Sequence, residues 1–247
     1  MILDERKRLA PLQKNCREMT EAAPAARLSL MGRATKIVAY LKRKYPKPKS
    51  ELKYQTPFQF LVAVILSAQC TDRAINRLTD VLFKKYRTAQ DFARANRRVF
   101  EKEISSIPFF RNKARSVIAT AKIVVSPPPG GFGGKVPKTA QELQTLPGVG
   151  YKTAHVILGE LYDIWEGIPT DTHVKRFAHR FGLSRHNDLK KISKDLESLI
   201  QKKDWKYVNN GLVLYGRYVC SARRHECREH PLTKIWPEAS GNWPKFK

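Results

Sequence analysis

Apolar residues recur at steps of three and four along most of the chain, which predicts amphipathic α-helices. Two stripes follow residues that cap helices well: Thr71 precedes one that runs from Ile75 to Leu82, and Asp171 precedes one that begins at Val174. The run 60–66 is apolar all round, and its helical neighbours favour a buried helix over a buried strand. Two further stripes consist of Leu189, Ile192, Leu196 and Leu199, then Trp205, Val208, Leu212, Tyr215 and Val219. The predicted fold class is all-α.

Breaks in this pattern define the ends and one loop. Prolines and glycines crowd residues 127–134, which neither a helix nor a central strand tolerates, so we expect a loop between two helices of one domain. Residues 1–30 lack a sustained stripe and are predicted to be an extension, and the tail from Pro237 is similarly weak.

Charge narrows the choice of partner. The chain has 47 Lys and Arg against 22 Asp and Glu, a net charge of +25. This charge indicates that the binding partner is a polyanion. No run of about 18 apolar residues exists to span a bilayer, so nucleic acid is favoured over a membrane. A merely basic, ribosome-associated protein fits the charge equally. The four cysteines and the charged N-terminus predict a reduced cytoplasmic protein without an export signal, nucleoid-associated if the source is prokaryotic.

Residues 138–162 predict a helix-hairpin-helix, with two short amphipathic helices joined by the turn LPGVG. The glycines allow a tight turn and a close approach to phosphate, and free N–H groups at the second helix start point towards that anion. An ordinary αα-hairpin is the alternative. The predicted DNA contacts of this segment are Leu146, Gly148, Val149, Gly150 and Thr153.

Lys152 and Asp171 are the candidate catalytic pair. Lys152 lies in the first turn of the second hairpin helix, where the helix dipole disfavours an ammonium and favours a nucleophilic amine. Asp171 precedes a helix, where a carboxylate stays ionised and can stabilise a developing sugar cation. Each residue also has an ordinary interpretation: a phosphate contact for the lysine and a helix cap for the aspartate.

Five motifs stand together in a recognisable order: SAQCTD (67–72), IPFFRNKA (107–114), LPGVGYKTA (146–154), DTH (171–173) and GRYVC (216–220). On these motifs, residues 31–230 resemble the endonuclease III family of the helix-hairpin-helix, Gly-Pro-Asp (HhH-GPD) superfamily of DNA glycosylases. The resemblance implies a six-helix barrel at 51–164 and a second helical lobe from 31–50 plus 165–247, with DNA across the cleft between them.

The resemblance also assigns roles. Lys152 would attack the sugar of a flipped damaged nucleotide and form a Schiff base, from which β-elimination cuts the strand, while Asp171 would stabilise that chemistry. Gln69 and Phe109 occupy the family's plug and wedge positions, although a core position for Phe109 is an equal alternative. His173 and Arg176 are further predicted DNA contacts. A lysine at 152 favours lyase activity, because relatives that only remove a base carry a hydroxyl residue there.

The C-terminal motif departs from the family. Relatives usually carry C-x6-C-x2-C-x5-C, which ligates a [4Fe–4S] cluster, whereas here Cys220 and Cys227 are remnants and the last two positions are His230 and Trp236. We therefore predict that the cluster is absent, that the chain needs no cofactor or metal, and that apolar packing of Ile235, Trp236 and Trp243 replaces it. Zinc on Cys220, His225, Cys227 and His230 is an alternative with an unusual spacing.

Three hypotheses follow. The first is a monomeric bifunctional glycosylase that acts on double-stranded DNA with oxidised pyrimidines or abasic sites. The second is a lyase that cuts abasic sites only, suggested by the altered C-terminal motif and by Gln144, where relatives often carry Glu. The third is a non-catalytic DNA-binding protein that keeps the hairpin.

Overall fold

The computed structural model of the protein describes residues 24 to 243, with side chains from residue 29 onward. This range contains α-helices and 3₁₀ turns and no strand. The α-helices are α1 (Pro24–Lys44), α2 (Pro57–Ser67), α3 (Asp72–Lys85), α4 (Ala89–Ala93), α5 (Arg97–Glu103), α6 (Phe110–Val125), α7 (Ala140–Gln144), α8 (Tyr151–Tyr162), α9 (Thr172–Arg180), α10 (Leu189–Leu199), α11 (Asn209–Tyr218) and α12 (Pro231–Ile235). The all-α prediction is confirmed.

Helix starts follow the caps that the sequence indicates. The Thr71 hydroxyl accepts from the Ala74 amide at 3.3 Å and begins α3. The all-apolar run 60–66 lies within α2, capped by Thr56, so the interpretation as a buried helix is confirmed. The stripe from Trp205 differs in one respect, because its first part is the 3₁₀ turn Lys202–Tyr207. The Trp205 indole donates to the Ile200 carbonyl at 2.9 Å and holds this tighter turn.

Buried apolar side chains form two clusters. The first draws on residues between Leu52 and Leu158, and the second combines 34–41 with residues from Ile168 to Ala239. Helix α1 therefore packs with the C-terminal part of the chain. Helix α1 begins at Pro24, so residues 24–30 of the predicted extension are helical, and residues 1–23 lie outside the described residues.

Close helix packing joins the second cluster to the cleft. A Cβ at Gly216 of α11 would lie 2.4 Å from His173 Nδ1 and 2.7 Å from Arg176 Nη2. Only glycine allows α11 this close to α9, which explains the glycine in the GRYVC motif. Within the tail, Pro237–Ser240 form a 3₁₀ turn that buries Ala239 in the second cluster. No described helix is both long and apolar enough to span a bilayer.

Candidate active site

A pocket of about 80 Å³ opens where the two clusters meet, and both candidate catalytic residues line it. Lys152 comes from the first turn of α8, and Asp171 immediately precedes α9. Four further charged residues line it: Lys49, Glu51, Asp72 and Arg217. We call this cavity the Lys152 pocket. Lys152 is half-buried in it, so its amine is partly shielded and still reachable.

Asp171 caps α9 with one carboxylate oxygen. Its Oδ1 accepts from the amides of His173 at 2.9 Å and Val174 at 3.0 Å, which confirms the predicted cap. Its Oδ2 accepts no hydrogen bond from any described residue. The cap therefore fixes the carboxylate orientation and leaves one oxygen available to the pocket.

His173 adds a half-buried imidazole beside the pocket. Burial lowers the pKa of His173, and the positive charges of Arg176, Arg217 and Lys152 lower it further. The Asp171 carboxylate opposes this shift of the His173 pKa without cancelling it. The buried Nδ1 of His173 has no hydrogen-bond partner among the described residues. The ring is therefore neutral at neutral pH.

The two glycines of the hairpin turn have different roles. Gly148 has a φ of 83°, and a Cβ there would lie 3.0 Å from Ser116 Cβ and 3.2 Å from Ile65 Cγ2. A Cβ at Gly150 would meet nothing within 4 Å. The backbone amides of residues 150–153 have no acceptor within the described range. Gly148 thus makes the turn, and Gly150 leaves these amides open to an anion.

The remaining predicted contacts differ in exposure. Leu146 and Val149 are buried in the first cluster, so only their backbone could face DNA, and Thr153 is half-buried. The prediction that Arg176 contacts DNA is wrong. Its side chain is 4% exposed and donates to the Cys220 carbonyl at 2.8 Å. It also donates to the Ser221 carbonyl. Arg176 therefore anchors the chain after α11 rather than meeting DNA.

Gln69 and Phe109, the predicted plug and wedge, share a strained backbone. Their φ angles are 57° and 58°, and the only other described non-glycine residue with a positive φ is Asp163. Such strain costs about 1–3 kcal/mol per residue and concentrates at functional sites. Gln69 is exposed and Phe109 is 59% exposed, so the alternative that Phe109 belongs to the core is wrong.

Lys113 connects the Gln69 turn to the helix that follows Phe109, and the sequence did not predict this contact. It lies on α6, which begins directly after Phe109, and is 6% exposed. Its Nζ donates to the Ala68 carbonyl at 2.7 Å and to Cys70 Sγ at 3.3 Å, on either side of Gln69. Because buried lysines are uncommon, the charge implies a need for these contacts. Lys113 is part of the IPFFRNKA motif, so its position in the sequence could have drawn attention to it.

An ion-pair group also escaped the sequence interpretation. Arg217 of α11 contacts Asp72, the first residue of α3, at 2.8 Å and pairs with Glu51, so this ion-pair group joins α11 to α3 at the pocket rim. Asp72 belongs to the SAQCTD motif and Arg217 to the GRYVC motif. Their opposite charges were the feature of the sequence from which an ion pair could have been predicted. Gln144 is exposed, donates to the Ala140 carbonyl at 2.9 Å, and does not line the Lys152 pocket.

The C-terminal loop, residues 219–230, holds the two remnant cysteines around one guanidinium. Arg180 is fully buried and donates to Cys220 Sγ and Cys227 Sγ, both at 2.9 Å, and to the Ala239 carbonyl. Burial raises the pKa of Cys220, and Arg180 opposes that shift. Trp243 packs 4.0 Å from the guanidinium. Two sulfurs that share an arginine do not form the four-thiolate donor set that a [4Fe–4S] cluster needs.

Apolar packing around this loop agrees with the sequence prediction. Ile235, Trp236 and Trp243 are partly buried against the second cluster. The Arg33 guanidinium also lies 3.1 Å from the Trp236 ring centroid. Trp236, which stands where the family has its fourth cysteine, therefore contributes apolar packing and a cation–π contact.

Comparison with known proteins places the chain in a class. A family model described as "HhH-GPD superfamily base excision DNA repair protein" matches residues 62–202, more than half of the chain. The hairpin, the capping aspartate and the cleft all fall within or beside that range. The protein is thus a base excision repair protein of the HhH-GPD superfamily.

More specific relatives define its family. Endonuclease III of Synechocystis sp. is 42% identical over 210 residues, covering 85% of this chain and 94% of the relative. The chain belongs to the endonuclease III family, whose members are DNA glycosylases with AP lyase activity.

Solved structures of relatives agree in fold. A non-covalent endonuclease III–DNA complex matches with a TM-score of 0.78 and 33% identity, covering 85% of this chain and 97% of that one. A trapped endonuclease III–DNA covalent intermediate matches with a TM-score of 0.75 and 35% identity, over 83% and 94% of the two chains. This protein therefore shares the fold of DNA-bound relatives.

Proposed function

We propose that this glycosylase removes oxidised pyrimidines from double-stranded DNA and cuts the resulting abasic site, with Lys152 as nucleophile and Asp171 as its carboxylate partner. One observation carries the proposal: the two residues come from different helices and line the same pocket. The choice of oxidised pyrimidines rests on the resemblance to endonuclease III. A relative that is 35% identical has been solved as a trapped covalent intermediate with DNA, which supports covalent chemistry here.

The chemistry assigns one task to each residue. The neutral Lys152 amine attacks C1′, the C1′–base bond breaks, and the base leaves with the electron pair and takes up a proton. Asp171 stabilises positive charge at C1′ through its free Oδ2 and helps to move protons as the ring opens to the imine. Loss of a C2′ proton then expels the 3′ phosphate, and water releases Lys152 from the imine.

DNA would lie across the junction of the two clusters. We divide the chain into a barrel lobe at 51–164 and a second lobe from 31–50 plus 165–247, on the support of the two buried clusters. The free amides of 150–153 would bind a backbone phosphate, and Gln69 and Phe109 would enter the duplex at the flipped nucleotide. Lys113 would hold the Gln69 turn against α6.

We further propose that the protein acts as a monomer and lacks a [4Fe–4S] cluster. A monomer suffices because the residues assigned above come from one chain. Absence of the cluster is supported by the donor set, since only Cys220 and Cys227 remain of the four cysteines that a cluster needs.

Borohydride trapping tests the proposed nucleophile. The reagent reduces a Schiff base to a stable amine, so the protein incubated with abasic-site duplex should yield a covalent adduct. Lys152→Ala should abolish it, whereas Lys49→Ala, which removes another lysine of the pocket lining, should retain it. Adduct formation by Lys152→Ala would overturn the assignment.

A substrate panel tests the lesion class. Thymine glycol, dihydrouracil, 8-oxoguanine, uracil and abasic-site duplexes should be scored separately for base release and for nicking. Release of the two oxidised or reduced pyrimidines is expected to exceed release of 8-oxoguanine and uracil. Nicking of the abasic site without release of any base would contradict the proposed glycosylase activity and support a lyase that cuts abasic sites only.

A further inference from the structure

The C-terminal loop brings three metal-binding side chains to one point. The ligand atoms offered by Cys220, His225 and His230 all lie within 4.8 Å of one another. Cys220 is buried, and both histidines are half-buried. Their spacing along the sequence does not match an ordinary zinc motif. The grouping instead arises because the loop folds back on itself before α12.

The hydrogen bonds of His225 prepare it to bind a metal. Its Nδ1 lies 2.6 Å from the Arg223 carbonyl oxygen, so Nδ1 carries the proton and donates to that carbonyl. The lone pair of the neutral ring is therefore on Nε2. Metal-binding histidines commonly donate their second nitrogen to a backbone carbonyl in this way, which fixes both tautomer and ring orientation.

His230 supplies a second, independent observation. Its Nδ1 is buried and has no hydrogen-bond partner among residues 24 to 243. An unpaired buried nitrogen costs free energy, so such atoms are rare unless something else satisfies them. The His225 and His230 ring centroids are 5.1 Å apart and the rings are tilted by 41°. A cation between the two rings and the sulfur would satisfy the orphaned nitrogen.

We propose that Cys220, His225 and His230 bind one Zn²⁺ ion, with water at the fourth position. A thiolate with two imidazoles is a donor set that zinc favours and that magnesium or calcium do not. The ion would pin the C-terminal loop in a chain whose donors do not suit the family's cluster. This site replaces the sequence prediction that the segment needs no metal, and it does not depend on the proposed catalytic roles.

Metal analysis of the full-length protein tests the site. Elemental analysis by mass spectrometry after dialysis should find about one zinc per chain. The metal-free protein should bind Zn²⁺ in competition with a chromophoric chelator. His225→Gln should weaken that binding by about 100-fold or more. The matched control is His186→Gln, which removes a half-buried histidine between α9 and α10 and should bind zinc like the parent.

Cobalt gives a readout that identifies the sulfur ligand. Co²⁺ added to the metal-free protein should produce a thiolate-to-cobalt charge-transfer band, which Cys220→Ser should lose while Cys70→Ser keeps it. Because Cys220 is buried, circular dichroism should first confirm that its variant folds, and His225→Gln provides the test if it does not. Zinc content far below one per chain, equal zinc affinity in His225→Gln, or a brown protein with about four irons would each overturn the proposal.

Discussion

The Lys152 pocket and the C-terminal loop differ in how they use the family's residues. In the pocket, the residues of the family motifs keep their identities, and Lys152, Asp171 and Arg217 meet between the two clusters. In the loop, two of four expected cysteines are missing, and Arg180 contacts the two that remain. The pocket holds the groups proposed to react at a sugar, whereas the contacts of Arg180 with the loop hold the second cluster together.

This difference indicates that chemistry and loop stabilisation are separable in this fold. Arg176 donates to the loop carbonyls while His173, in the same helix α9, lies beside the pocket. Helix α9 is thus the physical link between the regions. Substitutions in the pocket should reduce activity without unfolding the protein, and substitutions in the loop should do the reverse.

The largest expected effect is at Asp171. Asp171→Asn keeps a cap acceptor but removes the charge, so nicking of abasic-site DNA should slow by about 10²- to 10³-fold at unchanged thermal stability. Asp188 also caps a helix, α10, with its Oδ1 accepting from the Lys191 amide at 2.9 Å. Asp188→Asn is therefore the control and should nick at the parent rate. Equal nicking rates in the two variants would show that Asp171 only caps α9 and takes no part in the reaction.

Arg180 provides the converse test. Arg180 makes four contacts through three nitrogens, to both sulfurs and to the Ala239 carbonyl. Arg180→Lys replaces this planar fork by one nitrogen on a different stem, so the free energy of unfolding in urea should fall by about 3 kcal/mol. The nicking rate per folded molecule should stay within about twofold of the parent, because the guanidinium lies outside the pocket. A loss of rate larger than the folded fraction explains would show that the two regions are coupled.

The two glycines of the hairpin turn, which we propose to approach a DNA phosphate, separate an effect on stability from an effect on binding. Gly148→Ala adds a Cβ at a positive φ against Ser116 and should lower stability by about 2 kcal/mol. Gly150→Ala meets open space and should keep the parent stability, yet weaken binding to an abasic-site analogue by about 10-fold, because its methyl group stands where a phosphate approaches. Parent affinity in a folded Gly150→Ala variant would contradict the anion contact.

The smallest effect concerns pH. Because burial and the cations of Arg176, Arg217 and Lys152 lower the pKa of His173, the unfolded chain binds a proton first as pH falls below about 6.5, and the folded state loses stability. Asp171, the facing carboxylate, opposes this shift of the His173 pKa. His173→Gln should flatten the stability profile between pH 7 and 5, by at most about 1.4 kcal/mol per pH unit. Urea titrations at each pH would reveal identical slopes if His173 is not the group.

The sequence predicted the helices and much of the pocket because both depend on local rules. Periodicity predicts α3, α9 and α10, and the position of Asp171 ahead of an apolar stripe predicts the cap that the structure shows. Features made by residues distant in the chain were not predictable. Arg180 between two sulfurs and buried Arg176 depend on how α9 packs on the C-terminal loop.

Backbone conformation set a second limit. The left-handed φ of Gln69 and Phe109 is unusual for these residue types, so no propensity indicates it, and it exists because the surrounding helices hold it. The proposed zinc group illustrates the same limit, since its sequence spacing is unusual and only the folded loop brings the three side chains together.

The central claim is that Lys152 forms the covalent bond to DNA. Its most direct measurement is mass-spectrometric mapping of the borohydride-trapped adduct after digestion with nuclease and protease. The account predicts one modified peptide from the α8 start, with the reduced sugar on the Nζ of Lys152. Modification of Lys49, which lines the same pocket, or of any other lysine in place of Lys152 would contradict it.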